Sequence, residues 1–337
     1  MHDLLMLVST ALVCATAAEP SLEPWASNTH PRDDVQGRDE GAAAPKKDKG
    51  LKVFMHWDME GASGLMTREH AWFWEDGARK EIAEEGRDLL TADVSSAVRA
   101  ALDAGVEQLI VCDTHHGGGN IRLDKLPADP RITYLQRSVG VQDGRRRWMP
   151  GLDESVDGLM LMAHHAKAGT EGAFLPHTQN LTWADFKING QSVGEMGIET
   201  CYAGHWNVPL ILMQGEESAC REAESQFPGV VTAAVKRAES RDRCSGLDAA
   251  AARQLTASKV AEAIQKLRAG GFKPFKPALP MTVTIRMTAP DLAQATALKP
   301  GVQRIDACTI EAQVARQCDV IQWISGHGLD MPEPGKR

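Results

Sequence analysis

Runs of consecutive apolar residues alternate along the chain with stretches whose apolar residues recur at three-and-four spacing. The runs predict buried strands and the stretches predict helices. The predicted strands are one ending at Trp57, Gln108–Asp113, Ile132–Leu135, one ending at Ala163, Val208–Met213 and Val230–Val235. The predicted helices are one through Leu89–Leu102, about Gly194–Gly204, Glu216–Phe227 and Ala249–Leu267. This alternation predicts an α/β fold, a largely parallel sheet flanked by helices.

Two further patterns divide the chain. Asn189-Gly190 predicts a hairpin turn between Asp185–Ile188 and Ser192-Val193. The stretch Gly270–Pro280 is rich in Pro and Gly and reads as a linker into strands near Met281–Met287 and Thr309–Val314. We therefore expect an α/β metal-binding catalytic domain over 51–270 and a smaller α+β C-terminal part over 271–337.

The amino terminus has the pattern of a targeting segment. Leu4–Val13 is apolar, too short to span a membrane, and is followed by the small residues around Ala15–Ala18. His2-Asp3 replaces the usual positive start of a signal peptide. We expect a signal peptide over 1–18, a disordered polar linker over 19–50, and a periplasmic or secreted protein.

Composition narrows the function classes. A net charge of −8 and a pI near 5.8 argue against a nucleic-acid or anionic-membrane partner. Six cysteines follow Cys14, with no C-x-x-C pair, so a cysteine-rich zinc site is not expected. Cys112 reads as a core residue, and Cys220 with Cys244 is the pair that we expect to form a disulfide bond.

Candidate chemistry collects where the predicted strands end. Asp58 and Glu60 follow the first strand and, at positions i and i+2, point to one face, where they could bind a metal or form only a solvated acidic loop. Six of the eleven histidines lie in three places, at or close behind strand ends: His56, His115, His116, His164, His165 and His177. Ligands in open α/β sheets collect outside the carboxyl edge of the strands, and imidazole and carboxylate are usual zinc ligands. The repetition favours a metal site over isolated polar residues.

Five motifs in order carry a family resemblance. They are His56-Trp57-Asp58-Met59-Glu60-Gly61, Asp113-Thr114-His115, His165-Ala166, Pro176-His177-Thr178 and Val193-Gly194-Glu195-Met196-Gly197. With them the chain resembles the DppA-type zinc D-aminopeptidases, self-compartmentalising bacterial metallopeptidases, over about Lys52 to Ile324. The resemblance implies two zinc ions per subunit, with Asp58 bridging both, and these ligands: Asp58, Glu60, His115, His165 and Glu195. It also implies that His177 is the catalytic histidine. Beside a metal-bound hydroxide, an imidazole fits a proton donor to the leaving amine or an oxyanion partner better than the nucleophile that the family implies. A loop histidine with no role stays open as the alternative.

Some residues depart from the family pattern or could support its ligands. His56 stands where the family has serine, on the same strand face as Asp58, so it could add a ligand or orient one. The glycines after His116 make the next loop flexible, either to shape a substrate pocket or only to turn. The residues that we expect beside the ligands are His56, Asp113, His116, His164 and Asn120.

The resemblance, together with the predicted targeting segment, implies an exported dinuclear-metal aminopeptidase. The resemblance implies short peptide substrates with amino-terminal D-residues such as D-alanine, and a ring-shaped homo-oligomer, a decamer by analogy. Two alternatives from other classes stay open at this point. One is a dinuclear metal phosphoesterase, and the other is a non-catalytic periplasmic protein that binds metal or peptide.

Overall fold

The computed structural model describes residues 50–136 and 149–321 of the chain. The predicted signal peptide and residues 19–49 of the predicted linker lie outside this part. The strands are β1 Leu51–Trp57, β2 Val106–Asp113, β3 Ile132–Gln136, β4 Gly158–His164, β5 Trp183–Ile188, β6 Gln191–Val193, β7 Leu210–Glu216, β8 Val231–Ser240, β9 Arg243–Gly246, β10 Met281–Met287, β11 Val302–Arg304 and β12 Thr309–Val314. The helices are α1 Arg68–Ala71, α2 Lys80–Asp103, α3 Glu195–His205, α4 Glu217–Gln226, α5 Ala249–Arg268 and α6 Pro290–Thr296.

The larger sheet has the order β3-β2-β1-β4-β7-β8-β9. Its strands from β3 to β8 pair in parallel, and β9 joins the edge antiparallel to β8. The central strand β4 is buried along its whole length, as expected for a strand covered on both faces. The predicted α/β fold with a largely parallel sheet is confirmed.

Two hydrophobic cores lie on the two faces of this sheet. Side chains alternate along β1, so Phe54 joins one core while Val53 and Met55 join the other. Helices α3 and α4 contribute to the core of Phe54, and helices α2 and α5 contribute to the opposite core. Asp58 follows Phe54 by four residues, which directs its carboxylate toward the side of α3.

A second, antiparallel sheet has the order β11-β12-β10-β5-β6. The turn at Asn189 and Gly190 has φ of 49° and 83°, which confirms the predicted hairpin. The hairpin belongs to this smaller sheet, because β5 pairs with β10. That pairing is long-range and leaves no mark on the local pattern. The division of the chain at residue 270 stays a prediction, with strands from both sides of it in this sheet.

The expected disulfide between Cys220 and Cys244 is wrong. Neither Cys220 nor Cys244 forms a disulfide bond with another described residue. Cys220 lies in the hydrophobic core to which α3 and α4 contribute. Cys244 lies in the core on the opposite face of the larger sheet, where its thiol contacts the Leu65 carbonyl. Cys112 is buried, as predicted for a core residue.

Membrane-spanning character is absent from the helices that the structure describes. None of those helices reaches both the length and the apolarity of a bilayer span.

Candidate metal centre

The end of β1 is fastened to the end of β4. The Asp58 amide donates to the Met162 carbonyl at 3.0 Å, and the Gly61 amide donates to the Ala163 carbonyl at 2.7 Å. A Cβ atom on Gly61 would lie 2.2 Å from the His164 carbonyl oxygen, so no larger residue fits this close approach. The glycine therefore allows the segment with Asp58 and Glu60 to turn against β4.

Backbone strain marks the segments that present the histidines. Ala163, directly before His164 and His165, has φ of 58°. Leu175 and Gln179, which flank His177, have φ of 47° and 59°. Non-glycine residues in this region are uncommon, and they persist where the surrounding structure holds them, often at functional sites.

Five side chains from four segments form two triplets that share Asp58. Asp58, Glu60 and His115 form one, and Asp58, His165 and Glu195 form the other; in each triplet the possible ligand atoms lie within 4.8 Å of one another. His115 Nε2 is 3.3 Å from Glu60 Oε1, and His165 Nε2 is 3.4 Å from both Asp58 Oδ2 and Glu195 Oε1. The structure thus brings together all five residues that the resemblance marks as ligands.

The triplets fit zinc by spacing and by donor type. Zinc bonds of about 2.0–2.2 Å at a tetrahedral angle place two ligand atoms about 3.3–3.6 Å apart. The observed contacts have this spacing, and they are longer than charge-assisted hydrogen bonds of about 2.7–2.9 Å. Buried Asp58 Oδ2, Glu60 Oε2 and His165 Nε2 have no hydrogen-bond partner among the described residues. Burying unpaired carboxylates is costly, and a bound cation would offset this cost.

The proton on His165 is fixed by a neighbour. His165 Nδ1 lies 2.9 Å from the Ala166 carbonyl oxygen, which can only accept, so Nδ1 carries the proton. The lone pair of the neutral ring therefore lies on Nε2, the atom that faces Asp58 and Glu195. This is the orientation that a metal ligand requires.

Charges in the centre are strongly coupled. Burial, and then repulsion from Glu60, raises the pKa of Asp58 to about 7. Burial alone would raise the pKa of Glu60, but the charge and hydrogen bond of His115 hold it well below its ordinary value. Burial opposes the charge on His115, yet Glu60 raises its pKa to about 9. Protons on the histidines thus balance the carboxylates, and a cation would compete with those protons for the same atoms.

His177 lies at the open side of the centre. Its Nε2 is 3.4 Å from Glu195 Oε1, and its ring stacks on His165 with centroids 3.9 Å apart. His177 and Glu195 are 16% and 13% exposed, whereas Glu60 is 1% exposed. A substrate would therefore reach the centre past His177. Burial, and then the charge of His165, lowers the pKa of His177 and favours its neutral ring.

Sequence reasoning missed residues that orient the carboxylates. Trp72 Nε1 donates to Glu60 Oε1 at 2.7 Å. The Gln179 amide donates to Glu195 Oε1 at 2.7 Å, and its side chain donates to Oε2 at 3.1 Å. Gln179 follows His177 by two residues, so its closeness in sequence to a candidate site residue could have identified it. Nothing local in the sequence pointed to Trp72.

The residues expected beside the ligands have different positions. Asp113 accepts from the Asn120 amide at 2.6 Å, and Asn120 Nδ2 donates to the His115 carbonyl at 2.7 Å, which fastens the loop that carries His115. His116 is exposed and stacks on Trp74 with centroids 4.1 Å apart, and it belongs to none of the ligand groups.

The two remaining histidines lie deeper than the centre. His56 and His164 form a separate buried group with Glu199. Glu199 was also missed, although it follows Glu195 by four residues and so shares its helix face.

Comparisons with known proteins agree with this geometry. A family model described as D-aminopeptidase matches residues 51–326. The D-aminopeptidase of Bacillus subtilis (strain 168) is 29% identical over 273 residues, or 81% of this chain and 94% of that protein. The solved structure of the Zn-dependent D-aminopeptidase DppA from Bacillus subtilis, a self-compartmentalizing protease, matches with a TM-score of 0.73 at 29% identity, over 81% of this chain and 95% of that one. Because the family model spans most of its length, the chain belongs to the D-aminopeptidase family and is a metallo-aminopeptidase.

Proposed function

We propose that the protein is an exported dinuclear zinc aminopeptidase for short peptides with an amino-terminal D-residue such as D-alanine. The observation that carries the dinuclear part is the position of Asp58, which belongs to both ligand triplets. A carboxylate shared in this way can bridge two cations, and two such ions lie roughly 3.5–4 Å apart in hydrolases. The Zn-dependent relative supports zinc as the metal.

The residues of the chain have separable tasks in this reaction. When bound, zinc would supply Lewis acidity, which activates water and polarises the scissile carbonyl. Asp58, Glu60, His115, His165 and Glu195 would hold it, and Trp72 and Gln179 orient two of the carboxylates. His177 stands outside the shared triplets at the solvent side. Its Nδ1 is 2.9 Å from the Leu175 carbonyl, so Nδ1 donates and Nε2 is the atom free to exchange a proton with substrate.

Three finer parts of the proposal have their own support. The preference for D-residues rests on the family and on the name of the relative. A homo-oligomer rests on the self-compartmentalizing relative. Export rests on the apolar segment near Leu4–Val13 with its small-residue end, which lies outside the described residues.

The test uses the purified full-length protein loaded with zinc. D-Ala-p-nitroanilide, L-Ala-p-nitroanilide and p-nitrophenyl phosphate are compared, and elemental analysis counts metal ions per subunit. We expect the D-anilide to be turned over fastest. Asp58→Asn, which keeps the shape but removes the shared charge, should lose two ions relative to wild type and at least a hundredfold in turnover.

Asp291→Asn is the matched control, because Asp291 is exposed on α6 and joins no ligand group. It should keep the wild-type number of ions and full turnover. Turnover of the phosphate ester alone would contradict the peptidase, and faster turnover of the L-anilide would contradict the stereochemical preference. The loss of only one ion in Asp58→Asn would contradict the shared carboxylate.

A further inference from the structure

A separate group of side chains that could bind a metal lies beneath the centre, toward the protein interior. It consists of His56, His164 and Glu199, all at most 1% exposed. His56 Nε2 is 3.4 Å from Glu199 Oε1, and His164 Nε2 is 3.3 Å from Glu199 Oε2. His56 Nδ1 is 3.3 Å from His164 Nε2. Neither the proposed mechanism nor the family's ligand set uses this group.

The group repeats the triplet of Asp58, His165 and Glu195 one step deeper on the same elements. His56 precedes Asp58 by two residues, which keeps both side chains on one face of the β1 segment. Glu199 follows Glu195 by four residues, about one turn farther along the same face of α3. His164 directly precedes His165 at the end of β4. The β1 segment, the end of β4 and helix α3 therefore supply both the triplet at the centre and a second set of imidazole and carboxylate groups deeper in the protein.

The spacing within the group matches coordination better than hydrogen bonding. Contacts of 3.3 and 3.4 Å between imidazole nitrogen and carboxylate oxygen are the same as those inside the shared triplets. They equal the ligand–ligand separation around tetrahedral zinc, about 3.3–3.6 Å. Charge-assisted hydrogen bonds would draw the same atoms to about 2.7–2.9 Å.

From this geometry we propose a third divalent-cation site, held by His56, His164 and Glu199. One carboxylate and two neutral imidazoles are a set of three protein ligands that zinc takes in known sites, with a fourth position open. The ion is structural, because the site is buried away from the side where substrate would enter.

The site also touches the dinuclear centre. His164 Nδ1 lies 4.0 Å from Asp58 Oδ2, so one imidazole stands between the deep site and the shared carboxylate. An ion at Nε2 would fix the ring and keep Nδ1 directed at Asp58. The deep ion would exchange slowly, because a path from solvent requires the fold to open locally.

The test counts ions in the full-length zinc-loaded protein by elemental analysis. We expect three ions per subunit in wild type and two in both Glu199→Gln and His56→Ser, the latter restoring the serine usual in the family. Asp58→Asn should keep one ion, the deep one. A chelator should remove two ions from wild type within minutes and the third only when denaturant is added.

Anomalous scattering at the zinc edge from wild-type crystals supplies a readout that needs no variant. A peak among His56, His164 and Glu199 is expected, separate from the peaks at Asp58. Two ions in wild type, both lost in Asp58→Asn, and no deep peak would overturn the third site and leave the dinuclear proposal standing. A deep peak with no ion at Asp58 would support the third site and overturn the dinuclear one.

Discussion

Two backbone carbonyls decide which nitrogen of each key histidine faces the centre. The Ala166 carbonyl accepts a hydrogen bond from His165 Nδ1, and the Leu175 carbonyl accepts one from His177 Nδ1. Both rings therefore present Nε2, but to different surroundings. His165 Nε2 lies between Asp58 and Glu195, whereas His177 Nε2 lies at the edge that solvent reaches. Neighbouring rings of one residue type can in this way serve as ligand and as proton carrier.

We expect His177→Ala to lower turnover about 10²–10⁴-fold, the range of a lost general acid or base. Metal content and the thermal unfolding midpoint should stay at wild-type values, because the five side chains of the two shared triplets are intact. Steady-state kinetics, elemental analysis and a thermal melt on one preparation check this. His116→Ala is the control, since His116 is exposed and should leave turnover unchanged.

Each other outcome of His177→Ala has a distinct meaning. Loss of an ion would identify His177 as a ligand, consistent with its membership in a group with Glu60 and His165. Turnover near that of wild type would make it a loop histidine without a role. Either result would contradict the task assigned to it here.

Lys236 is a buried cation close to the centre. Its Nζ donates to the carbonyls of Ala62 at 3.0 Å and Leu65 at 2.7 Å, which fastens the loop after Glu60. Burial lowers its pKa to about 8, although Cys244, Glu60, Asp93 and Glu216 all act to raise it. Between pH 8 and 10.5, its ordinary value, the unfolded chain therefore binds more protons at this residue than the folded protein.

It follows that Lys236 makes the fold more stable as pH rises through this window. Below pH 8 the lysine is charged in both states, and the folded state bears the full free-energy cost of burying that charge, on the order of 3 kcal/mol. Lys236→Met removes the titration. We expect the free energy of unfolding of wild type, minus that of the variant, to increase between pH 8 and 10, measured by urea titration. A constant difference would contradict the depressed pKa.

At the scale of elements, the close contact of β1, β4 and β7 depends on two glycines. Cβ atoms on Gly61 and on Gly215 would lie 2.2 and 2.1 Å from the same His164 carbonyl oxygen. The peptide after His164 is thus held between two neighbouring segments. This contact fixes the position of His164 and His165 relative to Asp58.

We expect Gly61→Ala to separate the ends of β1 and β4, since its methyl would meet backbone that cannot turn away. The variant should lose metal and several kcal/mol of stability, by analogy with other overpacked sites. Elemental analysis and a denaturant titration measure both effects. Gly271→Ala is the control, because its methyl would lie 2.6 Å from the flexible Lys266 side chain and no closer than 3.1 Å to backbone, at the Lys266 carbonyl oxygen. Wild-type metal content in Gly61→Ala would contradict the argument.

The sequence sufficed for the elements that have a strong local signal. The bounds predicted from apolar runs and from helical spacing lie close to the observed bounds for β1, β2, β4, β7, α2 and α5. The convergence of Asp58, His115 and His165 also followed, because parallel strands end at one edge. Short elements were missed, namely α1, β9, β11 and α6. Long-range partners such as Trp72 with Glu60, or β5 with β10, depend on tertiary packing that local patterns do not record.

At the scale of the whole molecule, the two sheets share one hydrophobic core. Phe186 of β5 and Val283 and Ile285 of β10 belong to the same cluster as Ile198 and Tyr202 of α3. Helix α3 also carries Glu195 and Glu199. The position of these two carboxylates therefore depends on the C-terminal strands, although no described residue after 270 belongs to a group that could hold a metal.

A fragment of residues 51–270 should for this reason fail to fold. It would lose the large side chains that β10 and β12 bury in the shared core, namely Met281, Val283, Ile285, Met287, Ile310 and Val314. At about 1.5–3 kcal/mol each, their loss is on the order of 10 kcal/mol, comparable with the whole stability of an ordinary domain. Near-ultraviolet circular dichroism and zinc content measure the outcome, with a chain of residues 45–337 as the control that retains all described residues. A cooperative melt and bound zinc in the fragment would show instead that residue 270 is a true domain boundary and that α3 is positioned without the second sheet.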